Sequence, residues 1–142
     1  MRKLFVRTAL VLGVAALVGW PSGAQAAASS NFSTAVPGFA SASANVTYVD
    51  GEEIRVNSLS VSDLRVDSNN VYAYFVVYNE TGSTAKTTYR YNRQDANTTL
   101  TWRNLRITDE HYGLKKLQLV VCVDDWGSDT CRGSRVQINP NF

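Results

Sequence analysis

Val71-Tyr72-Ala73-Tyr74-Phe75-Val76-Val77-Tyr78 is eight residues of almost purely β-branched and aromatic type, and its reading decides the fold. Such side chains are crowded on a helical turn but stand freely off a pleated, half-buried surface. Turn formers bracket the run, with Asp67-Ser68-Asn69-Asn70 before it and Asn79-Glu80-Thr81-Gly82-Ser83 after it. Period two then sends Val71, Ala73, Phe75 and Val77 to one face and Tyr72, Tyr74 and Tyr78 to the other. The first face predicts core. The second predicts rings on the sheet with wet hydroxyls.

Working outward, Leu117, Leu119, Val121 and Val123 alternate strictly and follow Leu114, so 116–124 predicts a strand with Lys116, Gln118, Val120 and Cys122 on its other face. A last strand near 132–138 should pair back on it. Shorter candidates lie at 87–91 and 98–102. Upstream, Val46-Thr47-Tyr48-Val49, Asp50-Gly51 and Glu52-Glu53-Ile54-Arg55-Val56 read as a two-residue hairpin, since Asp-Gly adopts the positive φ of a tight primed turn. That register sets Val49 opposite Glu52 and Thr47 opposite Ile54. Thr47, Val49, Ile54 and Val56 would be buried, with Tyr48, Glu53 and Arg55 wet. Leu59, Val61, Leu64 and Val66 extend the apolar content, with a slip of phase near Ser62-Asp63.

Helical periodicity is confined to one possible turn around 104–112. About seven strands with alternating faces predict an all-β, antiparallel two-sheet sandwich, because a sheet with one apolar face must cover it. The domain is expected over 44–142. Residues 29–43, rich in Ala and Ser with Pro37-Gly38, carry little periodic hydrophobicity and read as a flexible N-terminal arm.

The first residues have the form of an export signal over 1–28. Arg2, Lys3 and Arg7 supply charge, 9–20 is apolar, and Ala24-Gln25-Ala26 offers small residues for cleavage after Ala26 or Ala28. The apolar run is short of the roughly 20 residues a bilayer span needs, so the mature form is expected to have no membrane span and to be secreted. Removing the signal takes three of the fourteen basic residues and none of the twelve acidic ones, which leaves a net charge of −1. A nearly neutral chain with scattered cations lacks the basic stripe that neutralises phosphates, which argues against nucleic acid. Cys122 and Cys131 are the only cysteines, and in an exported chain they read as a disulfide. They lack the two-residue spacing of a redox pair.

No residue constellation marks catalysis, a metal or a cofactor. His111 is the only histidine, so a multi-histidine metal site is excluded, and no nucleophile elbow marks a serine for it to serve. Adjacent Glu52-Glu53 and Asp124-Asp125 point to opposite faces of a strand and do not converge as a glycosidase pair must. Asp124, Asp125 and Asp129 lack the ligand spacing of an EF-hand and read as a solvated hairpin tip. Aromatics are what remain. Tyr72, Tyr74 and Tyr78 share one face, Tyr89 and Tyr91 another, and Trp126 sits inside the expected disulfide loop. Trp126, Tyr72, Tyr74 and Tyr78 are therefore the candidate ligand contacts, because such rings give large contact area at small entropy loss.

The segment 117–126, ending in Val121-Cys122-Val123-Asp124-Asp125-Trp126 and followed by Asp129-Thr130-Cys131, resembles the C-terminal end of small exported actinobacterial proteins of unknown function. The resemblance covers the last third of the chain and implies export and the bridge, with no activity attached. The expectation is a secreted, non-catalytic binding module whose partner is an extracellular protein or a glycan. Two sharper versions are a carbohydrate- or cell-wall-binding module with an exposed aromatic row, and an enzyme inhibitor presenting the disulfide loop.

Overall fold

The computed structural model of the protein describes residues 27–142. The export signal expected over 1–28 lies outside the described residues, save for Ala27 and Ala28. Ten strands follow in order: β1 (Ala28–Val36), β2 (Ala40–Tyr48), β3 (Glu53–Asp63), β4 (Val71–Tyr78), β5 (Thr84–Lys86), β6 (Arg90–Asn92), β7 (Thr99–Thr108), β8 (Lys116–Val123), β9 (Thr130–Gly133) and β10 (Gln137–Ile138). All pairings are antiparallel. One sheet runs β1-β2-β3-β7; the other is centred on β4 and β8, with β5 and β6 on the free side of β4 and β9 and β10 on the free side of β8. The two-sheet sandwich and the Cys122–Cys131 bridge thus stand as the sequence predicts.

The inward faces meet in one core. Phe75 on β4 meets Phe32 on β1 edge to face, with centroids 6.0 Å apart, the geometry the ring quadrupole favours. Around them Ile54, Val56, Leu59, Val61, Leu117, Leu119 and Val121 are fully buried.

The arm expected over 29–43 is instead β1 and the start of β2, paired from Ala28↔Tyr48 to Val36↔Ala40. Its inward positions are Phe32, Val36, Ala40, Ala42 and Ala44, all buried. Three of these positions are alanines, and that smallness hid the alternation from a hydrophobicity reading.

The β2–β3 hairpin is one residue out of the expected register. Tyr48 pairs with Ile54, Thr47 with Arg55 and Val46 with Val56. Tyr48 is therefore buried and Thr47 lies on the polar face. The primed Asp-Gly turn does not form, because the Asp50 carboxylate accepts from both the Glu52 and Glu53 backbone N–H, at 2.8 and 2.7 Å, and closes a four-residue loop. An Asx turn of this kind satisfies two donors at once, and it lets the large Tyr48 ring leave water.

The slip of phase expected at Ser62-Asp63 occurs at Asn57, where the β2–β3 register shifts between Asn45↔Ser58 and Val46↔Val56. Asn104, the position on β7 that answers Asn57, has φ 54°, a left-handed value asparagine tolerates better than most residues. Both strands therefore switch faces together, and the apolar side stays inward on each side of the bulge. Leu64 and Val66 fall beyond β3 and are exposed. The helical turn considered near 104–112 is the second half of β7 and its following loop.

Candidate functional site

The sandwich ends differ in chemistry. At one end the chain terminus caps the core. Buried Asn139 donates to the carbonyls of Asp50 and Leu114 at 2.8 and 2.9 Å, and Asn141 donates to the carbonyl of Tyr48 at 2.8 Å. His111 is on this side, exposed on the β7–β8 loop with its ring against Tyr112.

The other end gathers four loops, at 37–39, 64–70, 93–98 and 124–129. Backbone hydrogen bonds tie them in sequence: Leu64 N–H to the Phe39 carbonyl at 2.8 Å, Asn97 N–H to the Asp63 carbonyl at 2.9 Å and Asp124 N–H to the Asn70 carbonyl at 2.9 Å. Trp126 stands at the tip of the β8–β9 loop and is 99% exposed.

That loop is held at three levels. Cys122 and Cys131 face each other across β8 and β9, with Cα atoms 4.1 Å apart. Asp125 accepts from Thr130 Oγ1 at 2.8 Å and from Asn69 Nδ2 at 3.3 Å. The Tyr72 hydroxyl donates to the Asp129 carboxylate. Gly127, at φ 110°, turns the chain directly after the tryptophan in a conformation that side-chain-bearing residues rarely adopt. The result is a large indole displayed in water on a loop with little freedom left to lose. Beside it a groove of about 370 Å³ is lined by Ser68, Asn69, Asn70, Asp124 and Asp125. Asp67, Asp95, Asp124, Asp125 and Asp129 outnumber Arg65 and Arg93 at this end, so its field is negative. Val66, 85% exposed, borders a neighbouring groove of about 410 Å³.

The tyrosines form a second feature. Tyr72 and Tyr74 are on the outer face of the β4 sheet, as period two predicts, but are only 5% and 7% exposed. Tyr91 and Tyr89 cover them: centroids lie 4.8 Å apart for Tyr72–Tyr91 and Tyr74–Tyr89, and 5.2 Å apart for Tyr72–Tyr89. Beneath this stack lie Val120 and the fully buried Cys122. Burial, then the hydrogen bond to Asp129, pushes the Tyr72 phenol well above its ordinary range. Tyr78 is half-buried, with its hydroxyl 3.3 Å from Gln118 Oε1. Of the four candidate contacts, Trp126 is fully presented, Tyr78 in part, and Tyr72 and Tyr74 support the surface from below. Sequence reasoning missed Tyr89 as their cover, although its spacing from Tyr91 placed both on one face.

A third feature lies on the outer face of the β1–β2–β3–β7 sheet, where a groove of about 430 Å³ opens at the paired bulges of Asn57 and Asn104. Its carboxylate, Glu53, is held below the ordinary range by hydrogen bonds from Arg106 and then Arg55. An acid so neutralised is a structural pair. Among the described residues no cluster of three or more His, Cys, Asp or Glu side chains is arranged to hold a metal ion. No described helix is long and apolar enough to cross a membrane. Compared with protein-family models, curated proteins and solved structures, the chain matches none.

Proposed function

We propose that this chain is an exported, non-catalytic recognition module that engages an extracellular partner through Trp126 on the disulfide-closed 122–131 loop. The single observation carrying the proposal is the 99% exposure of Trp126 on a loop anchored by the bridge, by Asp125 and by Asp129. Exposing an indole wastes apolar area that burial would turn into stability. An indole on a pre-ordered loop that enters a partner's pocket recovers that area at small entropic cost. Export is supported by the signal-like first residues and by the disulfide, which persists in oxidising surroundings.

A protein partner is favoured over a flat polysaccharide. A polysaccharide platform needs several coplanar rings in water, and here Tyr72 and Tyr74 lie beneath Tyr89 and Tyr91. The pre-ordered loop also suits the inhibitor version, in which it plugs a partner's cleft.

The test is affinity capture from the producing organism's culture fluid on the immobilised mature chain, with Trp126→Ala run in parallel. A retained partner whose affinity falls by roughly 30-fold or more in the variant is expected, the loss typical of an interface hot spot. Equal retention by both chains would overturn the assignment of Trp126. A blue shift of indole emission with a soluble glycan from a panel, absent in the variant, would transfer the same tip to carbohydrate recognition.

A further inference from the structure

The sandwich is closed along one side and, apart from buried Asn92 on β6, which donates to the carbonyls of Val61 and Thr98 at 3.2 and 3.0 Å, open along the other. On the closed side, the free edge of β1 meets the strands beyond β8: Thr34 Oγ1 donates to the Arg132 carbonyl at 3.2 Å, and Gln137 Nε2 donates to the Asn31 carbonyl at 2.8 Å. On the open side, among the described residues, β7 ends its sheet and pairs with β3 alone. Opposite it, the second sheet stops at the three-residue strands β5 and β6. The cover is too short.

Exposure shows the consequence. In register, Ile54 faces Ile107, Val56 faces Leu105, Leu59 faces Trp102 and Val61 faces Leu100. The β3 member of each pair is fully buried, while each β7 member is only half-buried. Two grooves run along the strip. One, of about 390 Å³, lies between Ala85 to Thr88 and Arg106 to Thr108. The other, of about 410 Å³, is lined by Tyr89, Tyr91, Arg90, Arg93, Leu100 and Trp102. Lys86 and Arg106 line the first groove and Arg90 and Arg93 the second, while Arg103 lies exposed on the outer face of β7. Of these, Arg106 is paired with Glu53, and the Arg93 guanidinium lies 4.8 Å above the Tyr91 ring.

We propose that the free edge of β7, along Thr99–Arg103, accepts an extended acidic peptide segment of a partner protein as an added strand. Three features fit that occupant. An extended backbone supplies the donors and acceptors that an open edge lacks. Alternation along the added strand sends every second side chain inward, where Leu100, Trp102 and the two tyrosines offer apolar surface. The remaining side chains share the outer face of Arg103, and the segment as a whole passes the exposed guanidinium of Arg93 at the groove, so acidic residues complement it. A second copy of this chain is disfavoured, because it would bring the exposed Arg93 and Arg103 of both copies to one seam, where like charges repel. The bulge at Asn104 interrupts the edge and limits the added strand to the Thr99–Arg103 half.

The test uses a fluorescein-labelled hexapeptide of alternating glutamate and valine, read by anisotropy and by amide hydrogen exchange on the ¹⁵N-labelled chain. Expected are saturable binding, slowed exchange at amides within 99–103, and at least about a tenfold loss of affinity in Arg93→Glu with Arg103→Glu. Both arginines are exposed, so the variant keeps its core. A peptide N-methylated at alternate residues should also bind at least about tenfold more weakly, because it cannot extend the ladder. Equal binding of the N-methylated peptide would overturn strand addition. So would no binding at millimolar peptide, or equal competition by a sulfated oligosaccharide or oligothymidylate, which marks a plain polyanion site. Trp126→Ala is the remaining control, and its unchanged peptide affinity is expected because this edge is separate from the tryptophan loop.

Discussion

Replacing Cys122 and Cys131 together by alanine removes a crosslink with a sequence separation of nine. In the chain-entropy account, closing so short a loop stabilises the fold by about 2.7 kcal/mol, mostly by restricting the unfolded chain. The described domain has about 116 residues, for which the unfolding entropy near the melting temperature is about 240 cal/mol/K. The melting temperature should therefore fall by about 11 °C. The variant should still fold. β9 is exposed throughout, and the core between the sheets contains neither sulfur. A chain of this size has roughly 6–17 kcal/mol of stability to draw on. The assay is thermal unfolding followed by far-ultraviolet circular dichroism, with wild type and variant in identical buffer without reductant. A urea series should show an m-value equal to or slightly above wild type, because the released chain expands when unfolded. A shift below about 3 °C would refute the crosslink as a stabiliser of this hairpin. Two free thiols in the unfolded wild type without reductant would refute the bridge itself.

Phe75→Ala should cost about 3–5 kcal/mol in urea unfolding, since the ring is 2% exposed and its edge-on partner Phe32 has no other described ring against it. In alkali, Tyr48 and Tyr72 have phenol pKa values raised in the folded state, the first by burial and the second by burial and Asp129. Their contribution to stability is full below pH 10 and is lost as pH rises toward the folded values, because only the unfolded chain ionises them easily. Absorbance at 295 nm should show Tyr48 and Tyr72 ionising as the protein unfolds, and Tyr72→Phe should remove one phenol from that step. On the proposed export, intact mass of the protein recovered from culture fluid should place the mature start at Ala27, because Ala28 already pairs with Tyr48 and packs against the core. A product beginning at Ser29 with unchanged stability would contradict this.

Period two was legible wherever the buried side chains are large. Val71–Tyr78 and Lys116–Val123 announce themselves because Phe75, Leu117 and Leu119 stand out against polar neighbours, and the structure pairs them from Val71↔Val123 to Tyr78↔Lys116. β1 and β2 were illegible for the opposite reason. Ala40, Ala42 and Ala44 are buried but differ too little from serine in hydrophobicity to mark a face. The hairpin register failed on a competition between two local signals. Asp50-Gly51 suits a primed turn, but the Asp50 carboxylate with its two backbone donors holds a longer loop that buries Tyr48.

Composition and alternation by themselves determined an all-β chain with two covered faces and a covalent link between neighbouring strands, because burying alternate residues is a local rule written into each strand. They also set Trp126 inside the closed loop. Only the tertiary structure decided which aromatics meet water. Tyr72 and Tyr74 have the same outward direction along β4 as any exposed pair, and they are buried because residues 89–91, a loop away in sequence, fold back over them. The open β7 edge was equally unreadable, since an edge is defined by the strand that fails to arrive beside it, and no local pattern records that.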